Sequence, residues 1–349
     1  MPGTAGRAAI GIVGAGSLGQ AYAALLARAG DDVVLVASPA SAARLQDARH
    51  VSLTGAITAD VAVGAPGARG GTLGVTDDPS ALGAVDGVIF ATKAHQLRRA
   101  VADVAHAMAP HADRAWWVAG VQNGLVKDEI LGDAFGEARL VGAVSILGAG
   151  REGDGTVRIG GLGMTYLGEF DPPPAAVTAR VHDLVGRLVA AGIPAAGVPD
   201  IRSVLWSKAC NAVGIFGVSV LTRLAGPQMW ANPDLVRAFR ALVRETDAVA
   251  KASGVTVGDY RGFPIRTYLQ MTASEHVEYA AGLVASAPAG PVAPGAYPSM
   301  TQDLLAGRAM EVEEVFGDVV AKAEHLGVEV PRITLVSDLL RGLNAAITG

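Results

Sequence analysis

In the first half of the chain the apolar residues gather in short unbroken runs at 8–13, 32–37, 87–92 and 115–120. Runs of that length, rich in Val, Ile and Leu, predict strands buried on both faces, as in a parallel sheet. Between the first two runs, residues 20–29 are strong helix formers and Gly30 stands where a helix would be closed. Three further apolar segments, 140–145, 156–159 and 164–167, are separated by glycine-rich turns, which predicts antiparallel strands extending the same sheet. Asp171-Pro172-Pro173-Pro174 closes that section; a helix over 175–191 and a short strand over 193–198 follow. Beyond Asp200 the pattern turns helical. Helices are expected over 203–221, from Asn232-Pro233 to Gly254, and over 309–326, where Val312, Val315, Phe316, Val319, Val320 and Ala323 recur at helical spacing. A linker-like loop rich in Ala, Pro and Gly fills 286–298. The expected division is an α/β unit over 1–200 and an all-helical unit over 201–349.

Composition narrows the classes. A chain of 349 residues, half of them hydrophobic, can bury two cores and is not disordered. Its 28 Lys and Arg against 33 Asp and Glu give a net charge of −5 without a basic run, so no nucleic-acid partner is expected. Cys210 stands alone, which excludes an internal disulfide or a cysteine-based metal site and suits a reducing, cytoplasmic setting; no metal is expected. A mean hydropathy of +0.36 raises the question of a membrane. The longest apolar run, 209–221, is too short to span and contains Asn211, Gly214, Gly217 and Ser219. Arg7 and the apolar stretch to Leu26 imitate a secretion signal, but cleavage after it would discard the most organised motif in the chain. No membrane association is expected.

That motif is Gly14-Ala15-Gly16-Ser17-Leu18-Gly19, set between a predicted strand and a predicted helix. Strand, G-x-G-x-x-G, helix is the order of a dinucleotide-binding turn. Gly14 permits the tight turn, Gly16 lets backbone approach a pyrophosphate, and Gly19 lets helix and strand pack; the helix N-terminus offers N–H groups to the phosphates. The second strand, 32–37, completes a βαβ unit, so the N-terminal unit reads as a Rossmann-type doubly wound sheet. The carboxylate that would hold the adenosine ribose of NAD is absent from the end of that strand, which runs Ala37-Ser38-Pro39. A 2′-phosphate would meet no repulsion there. Ser38 can donate a hydrogen bond and Arg44 can supply charge, which favours NADP(H), although Arg44 can also be read as a solvated helix residue.

Two more strand ends carry polar groups, Lys93 and Gln122-Asn123-Gly124, where ligands bind in open α/β sheets. A loop lysine and an Asn-Gly turn are each also ordinary connections. In the helical half, 203–221 holds one charge, Lys208, and one amide, Asn211, three residues apart on one face. A lysine in such a stretch must work, pair or snorkel at a domain edge. Cys210 and Trp206 read as packing residues. His276, beside Glu275 and Glu278, reads as part of a solvated helix face, and His95 as a loop residue.

Together these residues resemble the ketopantoate reductase (2-dehydropantoate 2-reductase) family over nearly the whole chain. The resemblance rests on the glycine-rich turn, Lys93, Gln122-Asn123-Gly124, Trp206-Ser207-Lys208, Ser299-Met300-Thr301-Gln302-Asp303 and Glu311. It implies hydride transfer from NADPH to the keto carbon of a 2-oxo acid, in the setting of pantothenate biosynthesis. By matching position, Lys208 would be the proton donor and Asn123 would touch nicotinamide and substrate. Lys93 would contact the cofactor, Ser299 the substrate, and Glu311 the substrate hydroxyl or cofactor. Asn211 joins the candidate substrate residues, and a homodimer is left open. One straight helix would hold Ser299 and Glu311 about 18 Å apart, so the reading requires a break near Gly307. Departures bear on the substrate: Ala212 and Phe216 stand where the family usually has asparagines, and Ala309-Met310 replaces Pro-Thr. The alternatives are another Rossmann-plus-helical dehydrogenase of hydroxyacid, glycerol-phosphate or opine type, and a non-catalytic NADP-binding sensor.

Overall fold

The computed structural model describes residues 9–170, 177–286 and 297–349. The chain forms two compact units: residues 1–122 with 127–201, and residues 123–126 with 202–349. The expected proline-rich end of the first section and most of the linker-like loop lie outside the described residues.

In the first unit, strands β1 (Ala9–Val13), β2 (Asp32–Val36), β3 (His50–Gly55), β4 (Ala59–Ala62), β5 (Leu73–Thr76), β6 (Gly87–Phe90) and β7 (Trp117–Gly120) are followed by the long pair β8 (Gly142–Arg151) and β9 (Val157–Gly168), and by β10 (Ala195–Gly197). Its helices are α1 (Ser17–Ala29), α2 (Pro39–Ala48), α3 (Leu97–Met108), α4 (Lys127–Phe135) and α5 (Ala179–Ala190). The four apolar runs become β1, β2, β6 and β7 of a parallel sheet ordered β5-β2-β1-β6-β7. Beyond a single parallel bridge between Leu140 and Val118, the segments after residue 139 do not extend it. They form β8 and β9 of a second sheet, ordered β10-β9-β3-β4 with β8 antiparallel to β9. β9 is long enough to pair β3 at its start and β10 at its end along one edge.

Two layers of sheet explain the composition of α1. Its residues Gly19 to Ala27 are all buried, because the core around it draws Ile10 and Ile12 from the parallel sheet and Leu53, Ala143, Leu147 and Ile159 from the second. A helix enclosed on both sides cannot be amphipathic, and Ala21, Ala23, Ala24 and Ala27 keep it slim enough to fit. Tyr22 carries a polar tip into this core; its hydroxyl is within 2.9 Å of Ser145 Oγ and 2.7 Å of Thr165 Oγ1, and burial raises its pKa. On the other face of the parallel sheet, Val88 and Phe90 pack with Val101 and Val104 of α3 and Leu131 and Phe135 of α4.

The second unit is helical: α6 (Ile201–Thr222), α7 (Gly226–Trp230), α8 (Pro233–Ala252), α9 (Ile265–Gln270), α10 (Ala273–Ala285), α11 (Ser299–Leu305), α12 (Asp318–Leu326) and α13 (Pro331–Thr348). A two-residue ladder between β11 (Asp259–Tyr260) and β12 (Phe263–Pro264) interrupts the helical pattern. α6 is long and apolar enough to cross a membrane, yet most of it is buried within the protein. α8 starts on the Asn232 cap expected from Asn-Pro and contacts α7, α9, α10, α12 and α13. Its buried Glu245 accepts hydrogen bonds from the backbone N–H of Arg332 and Ile333, fixing the start of α13. Cys210 and Trp206 are buried as expected. His276 is a correction: it is 1% exposed and packed among aromatic rings, while only the flanking glutamates face outward.

Candidate active site

The glycine-rich turn has different reasons for its three glycines. Gly14 has a φ of +107°, and a Cβ there would lie 2.7 Å from Thr92 N. A Cβ on Gly19 would overlap the Gly14 carbonyl oxygen. Gly16 is different, with an extended backbone and only Ala91 O, 3.9 Å away, near the position of a Cβ. The protein itself leaves room for a side chain at Gly16; a glycine there serves whatever approaches from outside. Gly16 is also the N-cap of α1 and provides no side-chain acceptor, so the first-turn N–H groups are left to another partner. This is a fit to a pyrophosphate.

The rest of the turn is braced. Gly14 N donates to Val36 O at 2.8 Å, and the Ala15 carbonyl accepts from Gln20 Nε2 at 2.7 Å and from Arg151 Nη2 at 2.9 Å. Ser17 and Leu18 open α1. Ser38 caps α2, its Oγ accepting from Ser41 N. Arg44, on α2, is half-buried and lies against the tip of the β8–β9 hairpin, where a Cβ on Gly155 would be 3.5 Å from its Nη1. Lys93 is exposed at the end of β6 and precedes a 3-10 turn, Ala94–Gln96.

In the second unit, the segment Asn123–Val126 is held by the stretch around Glu311. Asn123 Nδ2 donates to Glu311 Oε2 at 3.2 Å, and Glu311 is only 5% exposed. Asp318 Oδ2 accepts from the backbone N–H of Leu125 at 3.0 Å and of Val126 at 3.2 Å. Gly124 admits this approach: a Cβ there would sit 2.6 Å from Glu314 O. Between the two acids the helix is not α but π, over Glu313–Gly317. Such single-turn widenings recur at functional sites.

The break required near Gly307 is present. α11 ends at Leu305, Gly307 has a φ of +64°, and Arg308 to Glu311 are not helical. Ser299 is the exposed first residue of α11. On α6, Lys208, Asn211 and Ile215 are half-buried at spacings of three and four, so the most open face of this core helix carries the lysine and the amide. Ala212 and Phe216, each 8% exposed, border that face. Among the candidate residues of this unit, Asn123 and Glu311 are joined by a hydrogen bond.

Sequence reasoning missed two residues. Asp318 had a readable signal, since it lies seven residues after Glu311, two helical turns on. Arg151 had none, because its neighbours Ala15 and Arg44 are remote in the chain. Burial first, and the charge of Arg44 second, lower the Arg151 pKa.

A glycine-rich turn between strand and helix, a parallel sheet and a following helical unit define a protein of the Rossmann-plus-helical class, a fold that many dinucleotide-dependent oxidoreductases share. Residues 10–172 match the family model "Ketopantoate reductase PanE/ApbA" and residues 200–344 its C-terminal counterpart. The chain belongs to the ketopantoate reductase family, whose members are oxidoreductases acting on CH–OH groups. It is 26% identical over 338 residues to a 2-dehydropantoate 2-reductase of Archaeoglobus fulgidus, covering 96% of this chain and 98% of the relative. Among solved structures it resembles a PanE/ApbA family ketopantoate reductase from Ralstonia eutropha JMP134, with a TM-score of 0.75, 25% identity, and coverage of 98% and 100% of the two chains. It shares the fold of a D-mandelate dehydrogenase solved with NADH and anilino(oxo)acetate, with a TM-score of 0.77, 20% identity and the same coverage.

Proposed function

We propose that the chain is an NADPH-dependent reductase converting a 2-oxo acid, ketopantoate or a related branched keto acid, to the 2-hydroxy acid. The observation that carries this reading is the buried Glu311 bonded to Asn123 in a unit whose core helix turns Lys208 to its most open face.

The glycine-rich turn, with Lys93, Ser38 and Arg44 as further contacts, would hold NADPH, which would supply the hydride. Lys208 meets the negative charge that develops on the substrate oxygen as the C–H bond forms, then transfers a proton to it, leaving a hydroxyl and a neutral amine. Glu311 accepts from a substrate hydroxyl, and Asn123, held by Glu311, keeps its amide oriented toward substrate and nicotinamide. Ser299 and Asn211 contact the substrate. Ala212 and Phe216 make the lysine-bearing face apolar, which favours a 2-oxo acid with a branched or bulky hydrocarbon substituent. The neighbour solved with NADH and anilino(oxo)acetate holds an oxoacetate, and the same substrate class is assigned here.

The test is NADPH and NADH oxidation across a panel of branched 2-oxo acids, ketopantoate included. Lys208→Ala is expected to lower kcat about 10²–10⁴-fold with NADPH affinity retained. Unchanged turnover in that variant would remove Lys208 as the proton donor. NADPH binding with no substrate in the panel reduced would favour a sensor.

A further inference from the structure

We infer that Arg44 and Arg151 together form the site for the adenosine 2′-phosphate, with the β8–β9 hairpin supplying the second half of a recognition that α2 begins. The inference rests on the reading above only in taking the first unit to bind a dinucleotide.

Three observations within the first unit carry it. Arg151, the last residue of β8, is hydrogen-bonded to the carbonyl of Ala15, which fixes its guanidinium beside the glycine-rich turn. Arg44 reaches the same hairpin tip from α2, and its Nη2 is buried without a hydrogen-bond partner among the described residues. A buried guanidinium N–H left unpaired is costly, and native structures rarely keep one without use. Two like charges have also been brought close enough for Arg44 to reduce the basicity of Arg151.

The local acids do not relieve that repulsion. Glu152 pairs with Arg158 at 3.7 Å, and Asp154 accepts from Thr156 N at 2.9 Å. Neither Arg44 nor Arg151 forms an ion pair among the residues described. An anion between two guanidinium forks resolves both problems, the repulsion and the orphaned donor. Its position suits a 2′-phosphate. The ribose of a dinucleotide lies between the glycine-rich turn and the end of the second strand, where Ala37-Ser38-Pro39 offers no carboxylate and Arg151 is tied to the turn itself. The hydroxyl of Ser38, at the start of the helix bearing Arg44, donates to Ser41 Oγ at 3.1 Å and can rotate its proton to the anion as a neutral donor.

The test compares dissociation constants of NADPH, NADH and the fragment 2′,5′-ADP for the full chain and for Arg151→Gln, Arg44→Gln and Arg151→Lys. Each Gln variant is expected to weaken NADPH and 2′,5′-ADP about 10- to 100-fold and leave NADH within about twofold. Arg151→Lys, which keeps charge and a donor to Ala15 but loses the fork, is expected to fall between. An equal loss for NADPH and NADH in Arg151→Gln would make Arg151 a brace of the turn and overturn the inference. Arg44→Gln supplies an independent arm, because the buried Nη2 it removes holds nothing in the protein; unchanged 2′,5′-ADP binding there would overturn it too. Arginine-dependent 2′,5′-ADP binding without reduction of any keto acid would uphold this site and reject the proposed reaction. Keto-acid reduction with equal affinity for NADPH and NADH would do the reverse.

Discussion

His276 shows how far a residue's surroundings can depart from its neighbours in sequence. Flanked by glutamates, it nonetheless points into a cluster where Tyr268 stacks on it at 4.5 Å and Phe239 meets it edge-on at 5.9 Å, and both ring nitrogens lack hydrogen-bond partners among the described residues. The groups around it that titrate or carry charge are Tyr268, which itself meets Tyr279, and Arg240, which is held by the carbonyls of Tyr268 and Met271. Burial, with Arg240 adding a smaller effect, lowers the imidazole pKa to about 4. The folded state thus keeps this histidine neutral, while the unfolded chain protonates it near 6.5. Its contribution is complete above pH 6.5 and is lost as the pH falls from there toward 4, with a slope of at most about 1.4 kcal/mol per pH unit. Replacing it with phenylalanine, which keeps an aromatic ring in the cluster, should flatten that part of the stability curve. Melting temperatures of wild type and His276→Phe measured from pH 7 to 4.5 check this; parallel curves would show that His276 does not drive acid destabilisation.

At the scale of elements, the helix broken at Gly307 and widened at Glu313–Gly317 organises the candidate substrate side. It turns two acids, Glu311 and Asp318, to the segment Asn123–Val126, and Asp318 accepts from the backbone N–H groups of Leu125 and Val126. Asp318→Ala leaves both N–H groups without that acceptor, at a cost of about 1–3 kcal/mol. With an unfolding entropy near 2.1 cal/mol/K per residue, a chain of this length should melt roughly 1–4 °C lower. If Asn123 works as proposed, kcat should fall in the same variant while NADPH affinity holds, and Asp318→Asn, which retains an acceptor, should recover part of it. A lower melting point with unaltered kcat would make the contact purely structural. The break itself was legible in sequence, because glycine 307 stands where two candidate residues must cease to share a straight axis. The π segment was not, since no residue type marks where a helix gains a backbone atom ring. The four buried parallel strands were legible for the same reason the second sheet was misplaced: a continuous apolar run announces burial on both faces, whereas β8 and β9 are glycine-punctuated and owe their sheet to β3, a short alternating strand about a hundred residues earlier. β3, β4 and β5 carried too few apolar residues to be noticed.

For the whole molecule, the decisive feature is that the chain passes between the two units three times, after Gln122, after Val126 and after Ile201. A boundary at residue 200 captures only the last. The first two passages lend Asn123–Val126 to the helical unit, so melting of the first unit withdraws the partner of Glu311 and Asp318, and melting of the second releases the loop between β7 and α4. The two should therefore unfold together. Dinucleotide binding offers a quantitative check, because a ligand at about 100 times its Kd adds about 2.7 kcal/mol to the state that binds it. Spread over the unfolding entropy of all 349 residues, roughly 0.7 kcal/mol/K, that raises the midpoint by about 4 °C as a single calorimetric transition. Confined to a first unit of roughly 200 residues, the same energy would raise its transition by 6–7 °C and leave a second one where it was. Scanning calorimetry with and without NADPH separates the two outcomes. Two transitions, one of them indifferent to the ligand, would mean that the borrowed loop does not couple the units.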